Sequence, residues 1–267
     1  MAAAEWPGLD TSRPHPARVY DYLLGGTDHF AADRAAGDHI IAALPAVQDG
    51  VRAQRAVLGR AVRYLVAEAG IRQLLDIGSG LPTADNVHQI AQRIDPAVRV
   101  VYVDNDPVVL AHARALTAGS PVAVVAEGDL RDPAGIMASP QVRAQLDWAQ
   151  PAGLLLCGIL HYIPDSDDPA GLIAGLVSAL PTGSYVFIHH LLYRQDPASA
   201  GLQAAMQQAL GRVRFRTRAE ILGLFGGLEL VEPGLVPVPR WHPEPGTPDG
   251  PEPPVLGLAC VGLARKG

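Results

Sequence analysis

From about Arg72 onward, the chain alternates short, continuous apolar runs with segments of helical length. Such runs are typical of strands buried on both faces of a sheet, and a helix after each run indicates parallel strands joined by crossovers. Helices are predicted from Pro82 in "PTADNVHQIAQRI", in "PVVLAHARAL", within 133–148 and over 168–180. The five predicted strands are "RQLLDIGSG", "VRVVYVDND", "PVAVVAEGD", "GLLLCGIL" and "GSYVFIHHLL".

The C-terminal part follows a different pattern. A helix near 218–225 leads to the apolar run "LELVEPGLVPV", a proline-rich loop over 242–254 and a last run, "VLGLACVGLA". Two strands without a helix between them suggest an antiparallel pair at the sheet edge. The predicted fold is therefore α/β, a Rossmann-like doubly wound sheet of about seven strands, mostly parallel with an antiparallel C-terminal strand.

The first 70 residues have a helical pattern, which is strongest in the amphipathic stretch "VRAQRAVLGRAVRYLVAEAG" that ends at Gly70. We predict an N-terminal helical cap over 1–70, packed on a core over 71–267 as one compact unit. The arginines of this stretch are expected to form a solvated or salt-bridged face: Arg52, Arg55, Arg60 and Arg63.

Composition narrows the function classes. The chain has 267 residues, 48% of them hydrophobic and 18% charged, so it can bury a sizeable core. A formal charge of −6 argues against nucleic-acid binding, and Cys157 and Cys260 form neither a disulfide framework nor a metal-ligand spacing. No apolar run is long enough for a membrane span or a signal peptide, so a cytoplasmic location is expected.

Candidate chemistry lies where the predicted strands end. The first strand ends in "DIGSG", whose Gly78 and Gly80 allow a tight turn and a close ligand approach. Asp104 ends the second strand, where a carboxylate can accept both hydroxyls of a ribose, and Asp129 after the third could reach an adenine amine. Together these positions predict an adenosine-shaped site.

The glycine spacing bears on which adenosine cofactor binds. A dinucleotide loop would place a third glycine at the position of Thr83, whereas this loop has an acid, Asp76, two residues before its first glycine. An acid there suits a cofactor with a cationic amino group and no pyrophosphate, which is S-adenosylmethionine.

Longer phrases carry a resemblance to a known family. "LLDIGSGLPT", "VVYVDNDP", "EGDLRDP" and "LLLCGILHYIPD" resemble the motifs of class I S-adenosylmethionine-dependent methyltransferases. "RVYDYLLGG", "FAADRAA" and "AVRYLVAEAGIRQLLDIGSGLPTADNVH" are similar, more specifically, to a family of small bacterial S-adenosyl methyltransferases long listed as a domain of unknown function.

The resemblance implies roles for individual residues. Asp76, Gly78, Ser79 and Gly80 would hold the methionine part, Asp104 with Asn105 the ribose, and Asp129 with Leu130 the adenine. Pro82 departs from the broad pattern, because many class I enzymes have a third glycine there. The histidines have no metal-ligand spacing, so no metal is expected. The family has no settled methyl acceptor, and we expect a small molecule.

Methyl transfer from a sulfonium is an in-line displacement, and a base is needed only when the acceptor must lose a proton. The catalytic candidates are His161 and Tyr162, after the fourth strand, and His190, near the end of the fifth. His189 is its neighbour, and on a regular strand the two histidines face opposite sides.

The stretch "RVYDYLLGGTDHFAADR", 18–34, precedes the first predicted strand. Tyr20, Gly25, Gly26 and His29 in it are predicted to cover the cofactor as a lid that excludes water. The alternative is a helix hairpin in which Gly-Gly caps the first helix and the aromatic residues fill the core.

The predicted function is an S-adenosylmethionine-dependent methyltransferase that releases S-adenosylhomocysteine. Two alternatives stay open: a protein that binds either compound without catalysis, and a nicotinamide-dependent oxidoreductase. The acceptor, the atom methylated and the oligomeric state are left open by the sequence.

Overall fold

A computed structural model describes residues 9–83, 85–244, 246 and 253–267. Within them the chain builds one eight-stranded sheet with helices on both faces. The strands are β1 Gln73–Ile77, β2 Arg99–Asp104, β3 Ala123–Glu127, β4 Gly153–Cys157, β5 Tyr185–Leu191, β6 Glu229–Leu230, β7 Val236–Pro237 and β8 Ala259–Arg265.

The sheet has the strand order β3-β2-β1-β4-β5-β8-β6, with β7 also paired to β8. The first five strands are parallel, and β8 runs antiparallel to β5, with His189 opposite Val261. The order reverses between β1 and β4, so the carboxyl ends of these strands open a crevice of the kind in which doubly wound sheets bind ligands.

Helices cover both faces and form the N-terminal cap. No described helix is both long enough and apolar enough to span a membrane. The helices are α1 Pro16–Leu24, α2 Ala31–Ala43, α3 Val47–Arg63, α4 Val87–Ile94, α5 Pro107–Thr117, α6 Pro133–Ala138, α7 Pro140–Gln145, α8 Pro169–Ala179, α9 Pro197–Leu210 and α10 Arg218–Gly223.

Alternation along the buried strands divides the core into two layers. Leu75 and Ile77 of β1 point into one apolar layer, with Ile173 of α8, whereas Leu74 points into the other, with Val57 of α3. Every residue of β1 is buried, including the polar Gln73 and Asp76, so the strand does not alternate between buried and exposed positions.

The cap is packed on the core through an apolar cluster of its own. Val19 of α1 and Ile40 of α2 share this cluster with Met206 of α9 and Leu258 of the 3₁₀ turn Pro254–Leu258. Residues from both ends of the chain therefore meet over the carboxyl edge of the sheet. The division at residue 70 stays a prediction. Helix α3 lies in the predicted cap, but its residues pack against the sheet.

A buried charge network also holds the cap in place. Asp33 of α2 is fully buried and accepts hydrogen bonds from the backbone N–H groups of His15 (2.9 Å) and Phe30 (2.8 Å). Arg18 of α1 forms ion pairs with Asp33 (3.5 Å) and with Asp106 at the start of α5 (3.4 Å). The Arg18 guanidinium thus links two cap helices to the core.

The predicted fold class is confirmed, and four details of the prediction are wrong. The helix expected from Pro82 begins at Val87, because Asp85 has a left-handed φ of 59° and Asn86 caps the helix. The helix expected within 133–148 is two short helices, α6 and α7.

The other two errors lie in the C-terminal part. "LELVEPGLVPV" forms two short strands, β6 and β7, rather than one, since the Pro233-Gly234 turn lies between them. The predicted run "VLGLACVGLA" begins as a 3₁₀ turn, and the proline-rich loop lies partly outside the described residues. Helix α9 had no counterpart in the prediction, although Asp196, Pro197 and the spacing of Leu202 and Met206 are a helix signature.

Replacing Asp33 with asparagine should destabilise the fold by about 2–4 kcal/mol, because the change removes the negative charge opposite buried Arg18 and one of two backbone acceptors. Urea denaturation would measure the loss. The matched control is Asp38→Asn, an exposed aspartate on the same helix, which should change the free energy of unfolding by less than about 0.5 kcal/mol. Equal effects of the two substitutions would contradict a structural role for this network.

Candidate active site

The glycine loop after β1 is held against the end of β2. Gly78 and Gly80 have left-handed φ values of 72° and 67°, and a Cβ atom at Gly78 would collide with Ile159. The Gly78 N–H donates to Val103 O (2.8 Å), and the Gly80 N–H donates to Asp104 Oδ2 (2.9 Å). The loop is therefore fixed with its open side towards the crevice.

Asp104 organises the start of the next loop as well. Its Oδ1 accepts hydrogen bonds from the backbone N–H groups of Asn105 (2.8 Å) and Asp106 (3.0 Å). Asn105 in turn donates through Nδ2 to Asp129 Oδ2 (2.9 Å), which joins the ends of β2 and β3. The two predicted adenosine carboxylates thus lie on one connected edge, beside the buried side chain of Leu130.

Asp76 is a buried carboxyl on the same edge. Burial raises its pKa to about 7, with a further rise from the charge of Asp104 and an opposing effect from the positive charge of Arg55. Since an isolated buried carboxylate is costly, a cation placed beside Asp76 would favour its charged form.

These groups line one cavity of about 420 Å³. At one end it contacts the glycine loop, Asp76, Asp104 and Asp129. The other end is an apolar chamber between the cap and α9, which we define by the residues Val19, Leu23, Ile40, Val47, Val51, Leu202, Met206, Val255 and Leu258. The cavity therefore joins a polar half to an apolar half.

Three buried histidines lie after β4 or on β5, and two of them line this cavity. His161, in the 3₁₀ turn Leu160–Tyr162, and His189 of β5 both line the cavity and are buried, and the Nδ1 atom of each has no hydrogen-bond partner among the described residues. His190 is also buried but is absent from the described lining. Its Nδ1 lies 2.7 Å from Leu191 O and its Nε2 lies 3.0 Å from Arg216 Nη1.

Burial keeps these imidazoles neutral. It lowers the pKa of His189 to about 4 and that of His190 to about 3. Burial also lowers the pKa of His161 well below its ordinary value, with further lowering by the neighbouring histidines and Arg216. A neutral imidazole with a free nitrogen can accept a proton, so His161 and His189 are candidate bases in this cavity.

Arg216 fixes the segment that carries His161 and Tyr162. Its buried guanidinium donates to Leu160 O (3.0 Å), Ile163 O (2.8 Å) and Asp165 Oδ1 (2.7 Å). Tyr162 lines the cavity, and its ring centroid lies 4.3 Å from that of His161. The sequence had no signal for Arg216, which is 51 residues from Asp165 and was not in any predicted motif.

The structure brings most of the predicted site residues together. The following line the cavity: Asp76, Gly78, Ser79, Gly80, Asp104, Asn105, Asp129, Leu130, Tyr20, His161 and Tyr162. Many of the other lining residues were not predicted for the site, among them His15, Gln54 and Arg55. The sequence interpretation placed Arg55 on a solvated face, and only its position one helical turn from Val51 and Leu58 hinted at the cavity.

Gly25, Gly26 and His29 are not among the described lining residues, and their contact with a cofactor stays a prediction. Gly25 ends α1 with a left-handed φ of 84°, and a Cβ atom at Gly26 would collide with Asp21. Asp21 also pairs with His29 Nδ1 (3.0 Å). These contacts match the helix-hairpin alternative, whereas Tyr20 reaches the cavity.

Comparison with known proteins decides the family. The model of the S-adenosyl methyltransferase family matches residues 2–267. The chain belongs to the S-adenosyl methyltransferase family. None of the curated proteins matches this sequence.

Solved structures agree with this membership. A protein from Thermobifida fusca YX with a methyltransferase assignment is 43% identical, with 99% of each chain covered and a TM-score of 0.94. A DUF574 family protein from Streptomyces avermitilis MA-4680 is 41% identical over 97% of this chain and 99% of its own, with a TM-score of 0.91. Human N-acetylserotonin methyltransferase, solved with S-adenosylmethionine, is 16% identical with a TM-score of 0.51 over 96% of this chain and 63% of its own, which shows a shared fold.

The polar half of the cavity fits the cofactor of this S-adenosyl methyltransferase family member. The hydroxyl oxygen of Ser79 is buried without a hydrogen-bond partner among the described residues, and a Cβ atom at Gly80 would meet no protein atom within 4 Å. Asp76 offers a carboxylate to a cationic amino group. No cluster of metal ligands is present in the part of the chain that the structure describes.

The carboxyl of Asp76 predicts a pH-dependent stability in the cofactor-free protein. Its folded pKa of about 7 lies above the unfolded value. Its contribution to the free energy of unfolding is therefore complete below about pH 4, and about 4 kcal/mol of it is lost as pH rises to about 7. Asp76→Asn removes this dependence, so the variant should gain stability relative to the unsubstituted protein across that range. Urea denaturation at several pH values would measure the difference; a constant difference would contradict the raised pKa, and Asp38→Asn serves as the control.

Proposed function

We propose that this protein transfers a methyl group from S-adenosylmethionine to a small, uncharged, largely apolar acceptor. The observation that carries the proposal is the continuity of the cavity: the glycine loop, His161 and His189, and the apolar chamber all line one space. A methyltransferase needs two binding compartments that meet at a reacting centre. The two halves of this cavity supply them.

The polar half suits the cofactor. The buried carboxyls of Asp76 and Asp104 lie at opposite ends of the Gly78–Gly80 turn, and Asp129 accepts a hydrogen bond from Asn105. We assign Asp104 to the ribose hydroxyls and the Asp129 region with Leu130 to the adenine. When bound, the cofactor supplies an electrophilic methyl group on a sulfonium sulfur, and its transfer leaves S-adenosylhomocysteine.

The apolar chamber suits the acceptor. All nine residues that define it are aliphatic or methionine, and none can satisfy a buried charge. Arg212, near the end of α9, also lines the cavity, but its side chain is 70% exposed and lies 3.5 Å from Asp167. An acceptor in this chamber would gain by burying apolar surface and would lose by carrying a charge into it.

The buried histidines suit an acceptor that must lose a proton. A neutral Nδ1 on His161 or His189 can accept the proton of an acceptor hydroxyl, and Arg216 holds the segment that positions His161. We assign the cap helices, which supply part of the chamber wall, the role of keeping water from this region. His190 and Tyr162 support this arrangement through ring contacts with His161, at 6.0 and 4.3 Å between centroids.

The cofactor assignment predicts that Asp104→Ala weakens S-adenosylhomocysteine binding by about 1.5–3 kcal/mol, because the ribose loses a charge-assisted hydrogen-bond acceptor. Isothermal titration calorimetry would measure the affinity, with Asp38→Asn as the control. The unsubstituted protein should bind S-adenosylmethionine and S-adenosylhomocysteine but not NAD. Binding of NAD alone would overturn the cofactor, and unaltered affinity in Asp104→Ala would overturn the ribose contact.

The acceptor assignment predicts where a labelled methyl group goes. With methyl-labelled S-adenosylmethionine and an extract of the producing organism, label should enter the fraction that passes an ultrafilter. Met206→Trp, which fills the chamber, should reduce this transfer at least about tenfold and leave S-adenosylhomocysteine affinity unchanged. His161→Gln removes the proposed base and should also reduce this transfer of label.

Gln208→Trp is the matched control, because Gln208 is exposed on the same helix. Label in protein or nucleic acid would contradict a small-molecule acceptor. Absence of label from every fraction, with normal cofactor binding, would favour the non-catalytic alternative.

A further inference from the structure

We infer that Arg55 and Ser79 bind the α-carboxylate of the cofactor, so that a helix of the N-terminal cap forms part of the cofactor site. This inference rests on the proposed function, because it takes S-adenosylmethionine as the ligand of the polar half. It assigns a role to Arg55 that neither the glycine loop nor the family motifs indicate.

Arg55 differs from the other arginines of α3 in its partners. Arg52 pairs with Asp49 (2.9 Å), and Arg63 pairs with Glu244. Arg60 donates to Trp241 O (2.9 Å) and Val238 O (2.8 Å). Arg55 forms no salt bridge with a described carboxylate.

The position of Arg55 places its charge in the cavity. It lines the cavity with Asp76 and Ser79, and its one hydrogen bond to a described residue is from Nη2 to Asp85 O (3.2 Å). A guanidinium presents five N–H donors, so most of them are available to a ligand. The next residue towards the N-terminus, Gln54, also reaches the sheet edge, where it fills the space beside Gly158.

The hydroxyl of Ser79 is a second, independent sign of a missing oxygen acceptor. Its Oγ is buried and has no hydrogen-bond partner within the described ranges, although the Ser79 backbone N–H is bonded to Val103 O (3.3 Å). Buried hydroxyls are usually hydrogen-bonded, so an unpaired one on a residue that lines the cavity points to a ligand atom. A carboxylate oxygen can accept from this hydroxyl and from a guanidinium together.

The electrostatics of the site agree with this geometry. The positive charge of Arg55 lowers the pKa of four buried groups against the effect of their burial: Asp76, Cys157, Tyr20 and Tyr102. Its charge therefore acts at the ends of β1, β2 and β4. Asp76 and Arg55 offer opposite charges in one wall, which matches the ammonium and carboxylate of an amino-acid zwitterion.

The inference has a structural consequence, because α3 belongs to the cap. An arginine of α3 that binds the cofactor's amino-acid end would couple cofactor binding to cap docking. Ligands that lack this end would bind without that coupling. A test therefore needs ligands that differ from S-adenosylmethionine only at the amino-acid end.

The test compares Arg55→Gln with the unsubstituted protein in calorimetry with three ligands: S-adenosylmethionine, decarboxylated S-adenosylmethionine and 5′-methylthioadenosine. We expect Arg55→Gln to weaken S-adenosylmethionine binding by about 10- to 100-fold. Affinity for the two ligands without a carboxylate should change by less than about threefold. Ser79→Ala should show the same pattern with a smaller loss, about 3- to 10-fold.

Arg52→Gln is the matched control, an exposed arginine one turn earlier on α3, and should alter none of the three affinities. Equal losses for all three ligands in Arg55→Gln, or no loss for any, would overturn the inference. If the unsubstituted protein binds S-adenosylmethionine normally, such a result would leave the proposed cofactor intact. If that protein binds none of the three ligands, the cofactor proposal itself fails. Thermal unfolding of each variant would confirm that it is folded.

Discussion

The buried carboxylate of Asp104 is the interaction on which the sheet edge and the cap both depend. It accepts backbone N–H groups from Gly80, Asn105 and Asp106, and thereby fixes the glycine loop of β1 relative to the end of β2. Asp106 then caps α5 and pairs with Arg18 of the cap. Burial raises the pKa of Asp104, and these N–H groups oppose that rise because they stabilise its charged form. One chain of polar contacts thus runs from the sheet to the cap.

The cavity below this chain combines two environments with different demands. Its polar half is lined by Asp76, Ser79 and Arg55. The Ser79 hydroxyl has no hydrogen-bond partner within the described protein, and Arg55 has one, Asp85 O. Its apolar half is the space that remains in the cluster shared by the cap and α9. A buried polar group is stable when a partner is supplied, whereas an apolar wall is stable when water is excluded. The arrangement therefore favours a charged ligand in one half and an uncharged one in the other.

The histidines illustrate how packing separates chemically identical groups. His189 and His190 are adjacent on β5, so the pleat directs them to opposite sides. His190 is satisfied by Leu191 O and Arg216, whereas His189 and His161 retain an unpaired Nδ1 in the cavity wall. Burial lowers the pKa of all three, and this keeps each imidazole neutral at physiological pH. The histidines therefore differ in whether their ring nitrogens find hydrogen-bond partners within the described protein.

The sequence by itself determined the parallel sheet and the polar half of the site. Continuous apolar runs specify buried strands, and parallel strands place their following loops, with Asp76, Gly78, Asp104 and Asp129, at one edge. Only the tertiary structure decided the rest. Helix α9 forms a wall of the chamber, and Arg55 turns out to be a cavity residue. Gly25 turns out to be the exposed C-cap of α1, with Gly26 close to Asp21. Local periodicity indicates whether a helix has an apolar face. It does not indicate which polar side chain beside that face will line a cavity, because that depends on contacts between segments distant along the chain.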